Sequence, residues 1–361
     1  MTLHVLHAID SLEEDAGSPA ISLRGLLLTL EQLGLGSKVV TRNAGGFGLA
    51  EESLIPFEPL AIREAVGGAD IVHVHGWCGP LARSVAAEAR SQGKPYVVSP
   101  LGEAKQAPTQ RVPWRERLRR RFTDPRLLRD AAAVTALNDC EYKELQAGRL
   151  HGTLTVVPYG FSFHEAQAIP GVTGSIPPIP GHFVLLLGTI DPSSGCVPLL
   201  KSLAELGAAG DGWSVVLAGP IDSEDRKTLE AAIRRKGAAE RVRIVPSPDP
   251  AMQQALLGAA SLLVGPSLRL HLAVSVMQAM AAGKPVIASV LVAPPGTQDA
   301  IRVCNPTRDG LKTAFLEMFG LTDDERFAQG RKLREIGRYL FDWSVCAPKF
   351  IQLYLTASRG L

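Results

Sequence analysis

The sequence predicts an α/β protein built from two Rossmann-like domains. Short Val/Ile-rich runs alternate with longer stretches of helical periodicity. That alternation halts at a Pro/Gly-rich segment and then restarts. The 361 residues fit two domains of about 150 residues each better than one small fold.

In the first half, Leu3 to Ile9, Ser37 to Thr41, Asp70 to His75, Pro95 to Ser99, Ala132 to Ala136 and Leu154 to Pro158 read as buried strands. Between them, Ala20 to Leu33, Pro80 to Gln92, Trp114 to Leu128 and Asp139 to Ala147 repeat apolar residues at helical spacing. Strand–helix alternation implies a parallel sheet covered on both faces. Domain one is therefore expected over residues 1–165.

Residues 166–181 contain Ile169-Pro170-Gly171 and Pro177-Pro178-Ile179-Pro180-Gly181, too rich in Pro and Gly for either sheet, and predict a linker. Domain two follows over 182–344. Its expected strands are Phe183 to Leu187, Ser214 to Ala218, Val242 to Val245, Ser261 to Val264 and Val286 to Ala288. Helices are expected near Val197 to Leu206, Asp225 to Arg235, Ala251 to Ala259 and Ala273 to Ala281, then at Asp309 to Phe319, Asp323 to Leu340 and Cys346 to Tyr354. Open parallel sheets bind ligands at the carboxyl ends of their strands, so the site is expected in a cleft where the two domains face each other.

Composition narrows the function. The net charge is +2, which does not indicate nucleic-acid binding through bulk charge. Cys78, Cys140, Cys196, Cys304 and Cys346 are widely spaced and form no metal-ligand pattern, so reduced thiols in a cytoplasmic protein, without a metal, are expected. Met1 to Asp10 lacks the basic, then apolar, profile of a signal peptide, and no run of about 18 apolar residues predicts a membrane span. After Ile9 there is no G-x-G-x-x-G, which removes the main support for nicotinamide-dependent redox chemistry. Walker A, H-E-x-x-H and G-x-S-x-G are absent as well.

Several segments together resemble the retaining family-4 glycosyltransferases of GT-B fold. Gly17-Ser18-Pro19 resembles the family's glycine-rich first loop, and Asp70 to Trp77 its "D-hydrophobic-V-H-x-H-G" strand end. Pro95 to Pro100 fits the next strand and Val157-Pro158-Tyr159-Gly160 the "V-I-P-N-G" segment before the linker. Leu187 to Gly195 stands where the family writes "G-R-L-x-x-x-K-G". Leu217 to Pro220 and Pro266 to Val286 follow "L-A-G" and the "P-S…E-A-M-A-x-G-x-P-V" segment, and Phe341 to Ser344 resembles the "F-x-W" opening of the last helix. In that fold the last helix crosses back to the first domain, so the resemblance implies that a helix over 345–361 completes domain one. The resemblance implies a nucleotide-sugar co-substrate on the second domain, a glycan or lipid-linked acceptor on the first, and no cofactor or metal.

Carried over position by position, the family's Arg and Lys, which hold the donor diphosphate, become Thr189 and Ser194, and its two glutamates become Leu270 and Gln278. Leu101 occupies the position where relatives place an Arg or His facing the reacting sugar. Two lost charge-assisted hydrogen bonds cost roughly 3–6 kcal/mol, about 10²–10⁴-fold in rate if all of it acts on the transition state. Donor chemistry is thus expected to be weakened. The resemblance leaves Gly188, Thr189, Ser194, Gly195, Gly219, Leu270, His271 and Gln278 at the donor side, with the helix starting near Cys196 aimed at the site. Arg269 or His271 stands to supply the missing cation; otherwise each is a solvated loop residue.

On the acceptor side stand Gly17, Ser18, His75, Leu101 and Glu103. His73 and His75 are read as facing opposite sides of their strand, His75 toward the cleft and His73 as a core histidine. Glu103 is the nearest spare carboxylate for acid–base work, or a surface residue. Arg111 to Arg129 holds eight arginines against Glu116 and Asp124, interleaved with Trp114, Leu118 and Phe122. This suits peripheral contact with anionic lipid at the inner membrane face, or a solvated helix face. Two functions stand: a glycosyltransferase of bacterial surface or exopolysaccharide assembly, and a catalytically degenerate descendant that binds a glycan, a nucleotide or a partner.

Overall fold

A computed structural model describes residues 3–13, 17–45, 49–103, 125–163, 179, 181–235 and 239–359. The chain divides into two compact units, the first formed by Met1–Phe161, Leu270–Leu272 and Phe341–Leu361, the second by Ser162–Arg269 and Ala273–Leu340. Both are α/β with wholly parallel sheets among the described strands.

The first unit's sheet contains β1 (His4–Ala8), β2 (Gly36–Thr41), β3 (Leu54–Pro56), β4 (Ile71–His75), β5 (Tyr96–Ser99), β6 (Ala133–Ala136) and β7 (Thr153–Val156), in the order β3-β2-β1-β4-β5-β6-β7. Its helices are α1 (Ser18–Gln32), α2 (Pro59–Gly68), α3 (Pro80–Ser91), α4 (Pro125–Arg129) and α5 (Asp139–Gln146). Central strands β4 and β5 are buried throughout, with His73, His75 and Ser99 among their apolar residues. On α1 the stripe Ala20, Leu23, Leu27 and Leu30 recurs at helical spacing and is buried. Sequence periodicity misses β3 and α2. The strand is three residues long, half exposed and ends in Pro56, so it offers no alternation to detect and suits only a sheet edge.

The second unit's sheet runs β10-β9-β8-β11-β12-β13, from β8 (His182–Leu187), β9 (Trp213–Gly219), β10 (Val242–Pro246), β11 (Leu262–Gly265), β12 (Val286–Ser289) and β13 (Arg302–Cys304). Helices α6 (Cys196–Ala204), α7 (Ser223–Arg235), α8 (Pro250–Ala259), α9 (Val274–Ala281), α10 (Arg308–Phe319) and α11 (Asp323–Phe341) accompany it. Val184, Leu186, Val215 and Leu217 alternate into one core with Leu199, Leu203 and Phe315 from the helices. Edge strand β13, again three residues, was not foreseen from sequence.

The last helix, α12 (Trp343–Arg359), packs on the first unit against α1, β4 and β5. It starts three residues before the Cys346 expected because Asp342 caps it, its Oδ1 accepting from the Ser344 N–H (3.0 Å) and its carbonyl from the Cys346 N–H (2.9 Å); Trp343 is buried against Gly25 and Gly160. A Cβ on either glycine would collide with the indole. Most of the 166–181 linker and the Arg111–Phe122 part of the arginine-rich segment lie outside the described residues.

Candidate functional site

In the second unit, the chain leaves β8 through Gly188-Thr189-Ile190-Asp191-Pro192-Ser193-Ser194-Gly195 and enters α6. The Gly188 N–H donates to the Ala218 carbonyl (3.0 Å) and the Ile190 N–H to the Pro220 carbonyl (2.8 Å), holding this loop beside the end of β9. A Cβ on Gly219 would collide with the Gly188 carbonyl, and one on Gly195 with the Pro266 carbonyl. Gly195, at φ +83°, adopts the left-handed conformation that starts α6. Glycine is thus required at both positions by close backbone approach.

Side chains of this loop serve the loop itself. Asp191 Oδ1 accepts from the Ser193 N–H and hydroxyl, each at 2.7 Å. Ser194 donates its hydroxyl to the Asp191 carbonyl (2.7 Å), with Cys196 Sγ at 3.1 Å, so the proton expected to meet a ligand is spent inside the turn. Burial pushes the Cys196 thiol up to about 11. Thr189 is exposed. Asp191 Oδ2 faces Arg269 Nη2 at 3.8 Å, and the neighbouring Leu268 N–H donates to the Ser193 carbonyl (2.8 Å). Gln278, half-buried on α9, has no side-chain hydrogen bond among the described residues.

Leu270 and His271 do not lie in this unit. Leu270–Leu272 belongs to the first unit, where Leu270 and Leu272 are buried and Gly102 lacks the Cβ that would collide with the Leu270 carbonyl. Burial of two leucines draws the segment there. His271 donates its Nδ1–H to the Leu272 carbonyl (3.1 Å).

In the first unit, Gly17 (φ +82°) precedes Ser18, the first residue of α1, with open space where its Cβ would be. Pro100-Leu101-Gly102-Glu103 forms a tight turn with Leu101 and Gly102 both at positive φ (+56° and +85°), closed by Glu103 N–H to the Pro100 carbonyl (3.0 Å). Leu101 is buried, a strained placement for a leucine. Glu103 is not a spare carboxylate: its Oε2 accepts from the Trp77 and Cys78 N–H groups at 2.9 Å each.

A second carboxylate, absent from the sequence reading, holds the same turn. Buried Glu141 accepts from the Gly102 N–H (2.6 Å) through Oε1 and from the Leu137 N–H (2.7 Å) through Oε2. Burial raises its carboxyl to about 7 against the pull of those two hydrogen bonds. The signal was present: Asn138 caps α5 by accepting from the Cys140 and Glu141 N–H groups, and Asn-x-x-Glu is a capping-box spacing.

His73 and His75 lie on one face of β4, not opposite faces. Residues two apart on a strand point the same way, and Val74 takes the other side. Their rings are 3.9 Å apart, and His7, paired with His73 across β1 and β4, joins them. His75 Nε2 meets His7 Nδ1 (2.9 Å) and His75 Nδ1 meets the Tyr159 hydroxyl (2.5 Å). His73 Nδ1 meets the Tyr354 hydroxyl and Nε2 the Ser99 hydroxyl (both 2.8 Å), with Thr135 beyond Ser99. All three histidines are buried. Burial lowers His7 to about 3, and burial with mutual repulsion holds His73 and His75 well below the ordinary range.

Among the described residues these histidines bring ring nitrogens within 4.8 Å of one another. Five of the six nitrogens already have partners; His7 Nε2 has none. An ion there would have to displace a hydrogen bond of His73 and one of His75, since both nitrogens of each ring are occupied. The cluster acts as a hydrogen-bonded core that ties β1, β4 and β5 to Tyr354 of α12. His75 therefore serves that core and does not project as a free ligand-binding imidazole.

Of the arginine-rich segment only its end is described, where Arg129 pairs with Asp130 at 2.7 Å. Among the described residues no helix is long and apolar enough to cross a membrane.

Residues 21–160 match the family "Glycosyl transferase 4-like domain" and residues 179–298 "Glycosyl transferases group 1". No curated protein sequence matches the chain significantly. Among solved structures, a sucrose-phosphate synthase (tll1590) from Thermosynechococcus elongatus is 19% identical, with TM-score 0.75 over 99% of this chain and 100% of that one. Anabaena Alr3699/HepE in complex with UDP and glucose is 16% identical, with TM-score 0.75 over 97% and 99%. An α,α-trehalose-phosphate synthase (UDP-forming) from Burkholderia vietnamiensis is 12% identical, with TM-score 0.74 over 100% of both chains. The two parallel-sheet units and both family matches make this a protein of GT-B fold, carrying a glycosyl transferase 4-like domain followed by a glycosyl transferases group 1 domain.

Proposed function

We propose that the protein transfers a sugar from a nucleoside diphosphate donor to a glycan or lipid-linked acceptor in bacterial surface or exopolysaccharide assembly, with the donor on the second unit. The observation that carries this reading is the Gly188–Gly195 loop. Gly195 and Gly219 are both required by backbone-to-backbone contacts that pack the exit of β8 against the ends of β9 and β11, at the carboxyl edge of the sheet where open parallel sheets bind ligands. Relatives with UDP and UDP-glucose in their structures support the donor class. Thr189, Ser194 and Gln278 replace charged groups, so chemistry runs slowly relative to members that keep them.

A second reading, a degenerate binding protein of the same fold, draws on Ser194 being occupied within the loop and on Leu270 being buried in the first unit. Calorimetry of the full chain with UDP, ADP, GDP and UDP-glucose, paired with an assay of UDP release, separates the two. Micromolar donor binding with turnover supports transfer; binding without turnover supports degeneracy. If no nucleotide binds either the native chain or Thr189→Arg/Ser194→Lys, the transfer reading fails, and of the degenerate reading only a glycan- or partner-binding protein is left. The location proposed is cytoplasmic, with the Arg111–Arg129 segment against anionic lipid. Equal, negligible sedimentation with anionic and neutral vesicles at low salt removes that contact.

A further inference from the structure

The Gly188–Gly195 loop contains no basic residue, yet one guanidinium stands against it. We propose that Arg269 supplies the positive charge for the donor's diphosphate, from the segment after β11 instead of the loop after β8. This rests on the donor reading above.

Two backbone contacts fix Arg269 beside the loop. Leu268, its chain neighbour, donates its N–H to the Ser193 carbonyl (2.8 Å), and the Pro266 carbonyl abuts Gly195 closely enough to exclude a side chain. Ser267 further pins the residue, donating its hydroxyl to the Arg269 carbonyl (2.8 Å). The side chain itself is loosely held. Its contact to Asp191 Oδ2 is 3.8 Å, longer than a hydrogen bond, and 41% of the side chain is exposed. Leaving that contact costs little.

Asp191 does not follow the arginine, because its Oδ1 is held by the Ser193 N–H and hydroxyl at 2.7 Å each. A guanidinium has five donors in a planar fork. Arg269 can therefore keep one contact to Asp191 and give two parallel hydrogen bonds to phosphate oxygens. The carboxylate opposes the anion, so the pair binds a diphosphate less tightly than two free cations would. That arrangement offers recognition without a net charge.

The test is calorimetry of the full chain with uridine, UMP and UDP, using the native protein, Arg269→Gln, Arg269→Lys and Asp191→Asn. Arg269→Gln, whose amide can still give a neutral hydrogen bond, is expected to weaken UDP roughly tenfold to a hundredfold, about the worth of one charge-assisted hydrogen bond, and to leave uridine within about twofold. Arg269→Lys falls between. Asp191→Asn, which keeps an acceptor for Ser193 and removes the repulsion, binds UDP more tightly than native. UDP affinity unchanged in Arg269→Gln overturns the inference and leaves the donor reading standing. Equal losses for uridine and UDP overturn it as well, since the arginine would then hold the loop and not the phosphate. Failure of the native chain to bind UDP, ADP or GDP overturns both.

Discussion

Acid should unfold the first unit through three imidazoles. His7, His73 and His75 are buried and neutral in the fold, and each takes a proton once the chain unfolds into water. For a group whose folded pKa is depressed, the unfolded state binds more protons below its ordinary value, so stability falls as pH drops through about 6.5. With His7 lowered to about 3, the loss at about pH 5 is ~2 kcal/mol from this residue alone. His73 and His75 act with the same sign and add at most about as much each. Glu141, raised to about 7, works the other way: its contribution strengthens as pH falls from about 7 to 4.5 and offsets ~2 kcal/mol. The histidine effect is isolated by comparison with His7→Gln, which removes one titrating group and can still hydrogen-bond His75. Urea denaturation followed by far-UV circular dichroism at about pH 7.5, 6 and 5 gives the assay. The native protein should lose about 2 kcal/mol more than His7→Gln between about pH 7.5 and 5. Parallel losses in the two proteins would refute the claim that His7 is neutral in the fold.

Glu141→Ala leaves one buried and one half-buried backbone N–H group without acceptors and should cost ~1–4 kcal/mol in urea denaturation. Glu141→Gln, which keeps one acceptor, costs less and abolishes the part of stability that declines as pH rises from about 4.5 through 7. Gly195→Ala forces a Cβ into the Pro266 carbonyl at φ +83°; it should lower the melting temperature by at least the equivalent of ~1–2 kcal/mol and also reduce UDP affinity in calorimetry. Asn138→Ala removes the cap of α5 and should cost ~1 kcal/mol by the same denaturation assay.

Residue order alone predicts both α/β units and most of their central elements. Strands such as Ile71–His75 and Trp213–Gly219 are buried over their whole length and so run largely apolar, and buried helix faces must repeat at 3.6 residues. Edge strands Leu54–Pro56 and Arg302–Cys304 carry no such constraint and were illegible. The glycines at 195 and 219, legible as a pattern, stand where the fold brings backbone against backbone.

Only the tertiary structure decided what the polar residues do. Glu103 and Glu141 hold a turn because distant N–H groups converge on them, and His73, His75 and His7 share one buried face because β1 and β4 are adjacent. Leu270 joins the first unit and Arg269 meets Asp191 because the chain brings together residues more than 70 positions apart. A hydrophobic pattern repeats along the chain and can be read from it; the partner of a polar group is set by contacts between remote segments, which one-dimensional order does not contain.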